Sequence, residues 1–387
     1  MTPITVLGET NARARGRRFG IEQPDRLSHM YVIGETGVGK TTLLERLIRQ
    51  DIIRSRGCAL LDPHGDLSAK LLAQIPEERR HRVTYLNIAD PNNSIGYNPL
   101  TRVSARLRPL VASGLISAMK KMWSDAWGVR MEHILRNSIL ALLDQPHAEL
   151  PDLLMLLRDK RFRARAIANV QNEHVRLFWT KEFAAYAPRF VADAIAPIQN
   201  KVGAFLADPR LKAFVCPAGR GLRLREIMDG GQVLIVNLSK GEVGEDSASI
   251  LGAMLVTSIG LAALSRSDTE EGLRRPFFLY LDEFQNVTTL ALAEMLSELR
   301  KYGVGLIMAH QYLAQLEPDI RHAVLGNAAT VICFRVGPED AYVMSTHFQP
   351  AFDTIDLMNL PNRAFYVRLL IDGVPSRPFS ANTVNLR

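Results

Sequence analysis

The chain has 387 residues, 47% of them hydrophobic, and a mean hydropathy near zero. It can therefore bury a large interior, and its length predicts two domains or one domain with an insertion, not a small disulfide scaffold or a disordered tail. Lys and Arg number 47 against 40 Asp and Glu, net +7, and no apolar run approaches the roughly 18 residues that span a bilayer, so a cytoplasmic protein is expected.

The first residues, Met1-Thr-Pro-Ile-Thr-Val-Leu-Gly, lack the basic start and apolar stretch of a signal peptide. Residues 1–28 read as a separate basic segment in which Arg13, Arg15, Arg17 and Arg18 form a mobile terminal patch. The apolar run Met30–Ile33 then reads as a buried strand, and Gly34-Glu-Thr-Gly-Val-Gly39-Lys40-Thr41 follows it. This is the G-x-x-x-x-G-K-[ST] pattern of a phosphate-cradling P-loop. Its glycines let successive N–H groups point inward around a triphosphate, Lys40 reaches the β- and γ-phosphates, and the Thr41 hydroxyl takes one position on Mg²⁺. Gly34, Glu35, Thr36, Gly37, Val38, Gly39, Lys40, Thr41 and Thr42 are the predicted nucleotide residues. Apolar residues at helical spacing predict a helix over 41–54. Strand, glycine loop and helix together are the context the motif needs. Cys58–Asp62 and Val83–Ile88 read as further strands. Between them, Asp62 and His64 fit either a metal site or a Pro-His-Gly turn holding the nucleotide edge, and the turn is the favoured reading.

From about Leu107 to Leu211 strand-like patterns give way to helical periodicity, in Leu110–Met122, Met131–Leu143, Pro151–Arg158 and Ala192–Leu206. This predicts an all-α domain at 107–221, inserted into a nucleotide-binding domain made of 29–106 and 222–387. Residues 101–225 hold 21 basic and 10 acidic residues, leaving 26 and 30 elsewhere. All of the positive excess lies in the middle, which points to a polyanion partner, with DNA the first candidate. Lys160, Arg161, Arg163 and Arg165 form its densest cluster; a solvated helix face is the competing reading of those four.

Strands resume at Val233–Leu238, Phe277–Asp282, Val304–Ala309, Thr330–Val336 and Phe365–Ile371, with helices predicted over 247–265 and 290–301. Continuous apolar runs alternating with helices are the rhythm of a parallel sheet covered on both faces. The strand Phe277-Phe-Leu-Tyr-Leu ends in Asp282-Glu283, where an Asp orients Mg²⁺ and a Glu polarises the attacking water. Gln311 follows the next strand, at the end where open α/β sheets bind ligands, and is placed to sense the γ-phosphate. Arg300 precedes that strand; by spacing alone it is equally a surface charge. Cys58, Cys216 and Cys333 are isolated, which argues against a disulfide framework or a zinc cluster and for small core residues.

The ordered set Gly34–Thr41, Leu61–Leu67, Tyr97–Leu100, Leu279–Asn286, Leu299–Gln311 and Gly326–Arg335, closed by Phe365–Phe379, resembles the HerA/FtsK superfamily of ring-forming DNA motors. Within it, the chain is most similar to the ATPase part of TraG/TraD-like coupling proteins of type IV secretion. The resemblance implies an α/β fold, a RecA-like P-loop NTPase domain with a central, mostly parallel sheet plus an inserted all-α domain facing DNA or substrate. It implies ATP and Mg²⁺ as cofactors, a hexameric ring as the assembly, and a membrane-anchored secretion component as a partner. Arg300 then matches the arginine that reaches into the neighbouring subunit's site, Gln311 matches the sensor, and Arg335 is a weaker second arginine with a structural ion pair as its alternative. Two other functions stay open: a DNA-processing motor that serves a nuclease or effector, and a nucleotide-gated adaptor that does not translocate.

Overall fold

In the computed structural model of the chain, the described residues are 4–12, 15–93, 95–100, 103–123, 127–217 and 220–384. Two compact units divide them: Met1–Leu86, Leu224–Leu238 and Ala262–Arg387 form the first, and Asn87–Arg223 with Ser239–Leu261 the second. The expected domain limits are displaced, since residues 87–106 and 239–261 group with the middle segment.

The first unit is organised by one sheet whose eleven described strands run in the order Arg18–Ile21, Thr5–Thr10, Phe379–Asn382, Ala364–Arg368, Thr330–Cys333, Met30–Ile33, Val304–His310, Phe277–Leu281, Gly57–Asp62, Val233–Asn237 and Val83–Asn87. The six strands from Thr330–Cys333 to Val233–Asn237 pair in parallel. Met30–Ile33, Gly57–Asp62, Phe277–Leu281 and Val304–His310 are buried throughout, as their continuous apolar runs require. Pairing brings His310 beside Ile33, Met308 beside Leu281 and Leu281 beside Leu61. The residues that follow these strands therefore share one end of the sheet. The helix Lys40–Ile53 closes over it, burying Leu43, Leu44, Leu47 and Ile48 in the core.

Three strands of this sheet escape the sequence patterns. Thr5–Thr10 and Arg18–Ile21 pair with each other, and Thr5–Thr10 also pairs antiparallel with Phe379–Asn382. The described part of the expected mobile segment is thus a sheet edge, sealed by Phe19 packing on Phe379 and Phe365 at ring distances of 4.9 and 6.5 Å. Arg13 lies outside the described residues. Thr5–Thr10 and Phe379–Asn382 are partners more than 350 positions apart, a pairing that local periodicity cannot register. The predicted strand Phe365–Ile371 also breaks: Ala364–Arg368 stays in the sheet, while Leu370–Ile371 folds back on Val374–Pro375. The Asp25 carboxylate accepts the N–H groups of Asp372 and Gly373 at that turn, at 2.8 and 2.9 Å.

A buried ion pair ties the helix Lys40–Ile53 to the sheet. Arg26 donates two hydrogen bonds to Asp51, at 2.8 and 2.7 Å, and the Tyr280 hydroxyl donates to the same carboxylate at 2.6 Å. Both charged side chains are fully buried, and the guanidinium lies 3.7 Å from the centre of the Phe278 ring. Removing one partner of such a pair strands the other charge, at a cost of about 3–5 kcal/mol. Asp51→Ala should lose that much stability in urea unfolding; a loss below about 1 kcal/mol would mean that water or a rearranged carboxylate reaches Arg26.

The second unit is mainly helical. Its helices include Arg108–Met122, Val129–Leu143, Leu150–Arg158, Lys160–Ala168, Pro188–Ala207 and Pro209–Val215. It is not helix alone, since Ile95–Gly96 pairs with Arg220–Gly221. One expectation fails here. The helical stretch Glu245–Asp268 is long and apolar enough to cross a membrane, with a window of mean hydropathy 1.9, although 78% of that window is buried inside the protein. It is a core helix by packing: a Cβ at Gly114 would lie 2.2 Å from the Thr257 methyl, so the helix Arg108–Met122 approaches it closely, and the Tyr97 hydroxyl donates to the Met254 carbonyl at 3.2 Å.

Candidate nucleotide site

Backbone sterics explain the glycines of the loop after Met30–Ile33. A Cβ at Gly34 would lie 2.6 Å from the Cβ of Phe334, so a side chain there has no room. Gly39 sits at φ +122°, a conformation L side chains rarely adopt, and acts as N-cap of the helix Lys40–Ile53 with no side chain capping it. The first-turn N–H groups of that helix are suited to an anion. Lys40 is buried and folded back on the loop, donating to the Gly34 and Glu35 carbonyls at 2.6 and 2.8 Å. Burial lowers its pKa, opposed by the charges of Asp282, Glu283 and Glu35. Beside the loop, Glu35, Thr36, Gln311, Tyr312, Gly337 and Asp340 are among the residues lining a cleft of about 570 Å³.

Asp282 and Glu283 end the strand Phe277–Leu281. The Asp282 carboxyl is pushed up to about 6, first by burial and then by the neighbouring Asp62 and Glu283 carboxylates. Carboxylates crowded together in this way suit a divalent cation, for which Thr41 and Asp282 are the proposed ligands. Glu283 adopts a left-handed backbone, φ 45° and ψ 51°. Its Oε1 accepts from Gln311 Nε2 at 2.9 Å, and its Oε2 lies 3.1 Å from His64 Nε2 and accepts from Asn286 Nδ2 at 3.2 Å. Gln311 thus meets the predicted base directly.

Two histidines join this cluster although spacing does not assign them to it. The sequence places His64 in a turn at the nucleotide edge, but its imidazole rests on Glu283. The turn itself is built by Asp62, whose two oxygens accept the N–H groups of His64 and Ser68 at 3.1 and 2.7 Å. His310 ends its strand fully buried between the rings of Tyr31 and Phe284, and burial with the nearby Lys40 charge pushes it down to about 3, so it stays neutral. Its position two residues beyond Met308 on an otherwise apolar strand is the signal the sequence offers.

Arg300 stands apart from this cluster. It is exposed in the turn Arg300–Tyr302, before the strand Val304–His310 whose far end carries Gln311. Seven strand residues at about 3.3 Å each separate it from its own P-loop by roughly 20 Å, well beyond an arginine's reach. Arg335 is engaged within the subunit: its Nε donates to Glu35 of the loop at 3.0 Å and its Nη1 to the Leu360 carbonyl at 3.2 Å. In the second unit, Lys160, Arg161 and Arg165 lie on the helix Lys160–Ala168, and all three are exposed. Arg163 differs from them, because it donates to the Leu156 and Leu157 carbonyls at 2.9 and 3.0 Å and so finishes the preceding helix.

Residues 20–348 match the family model described as the type IV secretion-system coupling protein DNA-binding domain. The chain belongs to this family. No curated protein sequence matches it. Solved structures agree on the fold. The bacterial conjugative coupling protein TrwBdeltaN70, unbound, superposes with a TM-score of 0.70 at 17% identity, over 99% of this chain and 90% of that one. Plasmid coupling protein TrwB in complex with ADP and Mg²⁺ gives 0.68 at 17% identity, over 100% and 91%. VirB4 of Thermoanaerobacter pseudethanolicus gives 0.62 at 13% identity, over 100% and 97%. The expected architecture therefore stands: a RecA-like P-loop ATPase fold with a mostly parallel sheet, plus a domain that is helical but for one short strand pair.

Proposed function

We propose that this coupling-protein chain is a DNA translocase that hydrolyses ATP at the interfaces of a ring, six subunits by the resemblance, to move DNA in type IV secretion. One observation carries the reading. Lys40, Asp282, Glu283 and Gln311 gather at one end of the sheet, while Arg300 lies exposed at the other, so that site and arginine complement each other only between subunits. In this reading Lys40 and the N–H groups of Gly34–Thr42 bind the triphosphate, and Thr41 and Asp282 bind Mg²⁺, which offsets phosphate charge when present. Glu283 takes the proton of the attacking water, and Gln311 links that base to the γ-phosphate. The TrwB complex with ADP and Mg²⁺ supports these ligands. In this reading the chain works in the cytoplasm and reaches the membrane through a secretion partner.

ATPase rates with and without single- and double-stranded DNA, alongside a mass measurement of the assembly, test the proposal. Hydrolysis that DNA leaves unchanged would favour a nucleotide-gated adaptor; DNA stimulation in a chain that works with a nuclease would favour a processing motor.

The basic residues of the middle unit should supply DNA affinity by pairing with phosphates. Reversing Lys160, Arg161 and Arg165 to Glu, with Arg163 kept as a helix cap, should weaken binding to all sequences alike. The slope of log K against log salt should shrink by about 0.9 for each phosphate of duplex DNA that the variant no longer neutralises. Basal ATPase should persist. Unchanged binding across the salt range would make this helix a solvated face and move the DNA path elsewhere.

A further inference from the structure

We propose that His64 is a positioning residue for ATP hydrolysis: it holds one oxygen of Glu283 so that the other faces the attacking water. The inference rests on Glu283 being the base.

A carboxylate offers about four lone-pair positions. At Glu283, Oε2 is engaged by His64 Nε2 at 3.1 Å and Asn286 Nδ2 at 3.2 Å, and Oε1 by Gln311 Nε2 at 2.9 Å. One position on Oε1 is left to accept a hydrogen from water. Asn286 belongs to the same turn as Glu283 and moves with it. His64 and Gln311 come instead from two other strand ends, so they fix the carboxylate relative to the sheet.

His64 is itself held for the task. Strand Gly57–Asp62 pairs in register with Phe277–Leu281, which sets the two strand ends side by side. Asp62, 2% exposed, accepts the His64 and Ser68 N–H groups and so fixes the turn. Gly65 follows at φ +91°, where a Cβ would lie 2.7 Å from the Asn237 side chain. The imidazole therefore leaves a rigid turn with Nε2 toward Glu283, and with hydrogen on Nε2 it donates. A flexible Glu side chain on a left-handed backbone needs such support, since a misplacement of about 1 Å can cost about 10²-fold in rate.

The test compares His64→Ala, His64→Leu, His64→Gln and Glu283→Gln in the assembled protein with Mg²⁺-ATP. The Ala and Leu variants should lower kcat about 10- to 100-fold while KM and the affinity for a non-hydrolysable ATP analogue stay within about twofold. Leu fills the space without a donor, so a loss shared by both variants reflects the hydrogen bond and not a cavity. Gln should restore most of kcat, because its amide can donate from the same turn. Wild-type kcat in the Ala and Leu variants, with Glu283→Gln inactive, overturns the role of His64. So does a Gln variant as slow as Ala, or a loss that appears in nucleotide affinity instead of kcat. A Glu283→Gln protein that hydrolyses at the wild-type rate would instead remove the base on which the inference stands.

Discussion

Arg300→Ala should leave ATP binding by each subunit unchanged and lower turnover of the assembled protein about 10³–10⁵-fold, the usual worth of an arginine supplied across an interface. The expectation follows from the sheet. Arg300 precedes the strand Val304–His310 and Gln311 follows it, so about 20 Å of extended chain separates the guanidinium from its own phosphates. Its exposure leaves it available to a neighbour. Arg335, tied to Glu35 and the Leu360 carbonyl, is already committed within its subunit and should contribute to the shape of the loop. Mixing Arg300→Ala with Glu283→Gln subunits gives the sharper measurement. Some interfaces would then join an intact pocket to an intact arginine, and partial activity should return. No recovery in verified mixed assemblies would refute action in trans.

Glu283→Gln should keep nucleotide binding and lower hydrolysis about 10²–10⁴-fold, the range for losing a general base. The substituted amide is close in shape to the carboxylate and its oxygen can still accept hydrogen bonds in the pocket of Gln311, His64 and Asn286, while the basic carboxylate is gone. Binding of a fluorescent ATP analogue, measured with single-turnover hydrolysis, separates the two effects. Equal losses in both would show that Glu283 acts by holding the loop together.

The P-loop, the Asp282-Glu283 strand end and the parallel strands were legible because each is local: an apolar run, a glycine spacing or a polar residue closing a buried strand. Gln311 was legible as a polar residue closing a buried strand for the same reason, while its hydrogen bond to Glu283 is a contact that only the fold supplies. Local patterns alone also sufficed for the helices of the middle segment and for the family, through motifs in a fixed order. They failed wherever the signal belongs to a pair of distant segments. Thr5–Thr10 is a strand because Phe379–Asn382 lies beside it, and the helix Glu245–Ser265 is apolar because the protein covers it, not because it lies in lipid. Arg163 looks like its three basic neighbours in the chain, yet the end of the preceding helix claims it. His64 and Glu283, 219 positions apart, meet only because two strands pair in register, and parallel pairing leaves no periodic trace in either strand.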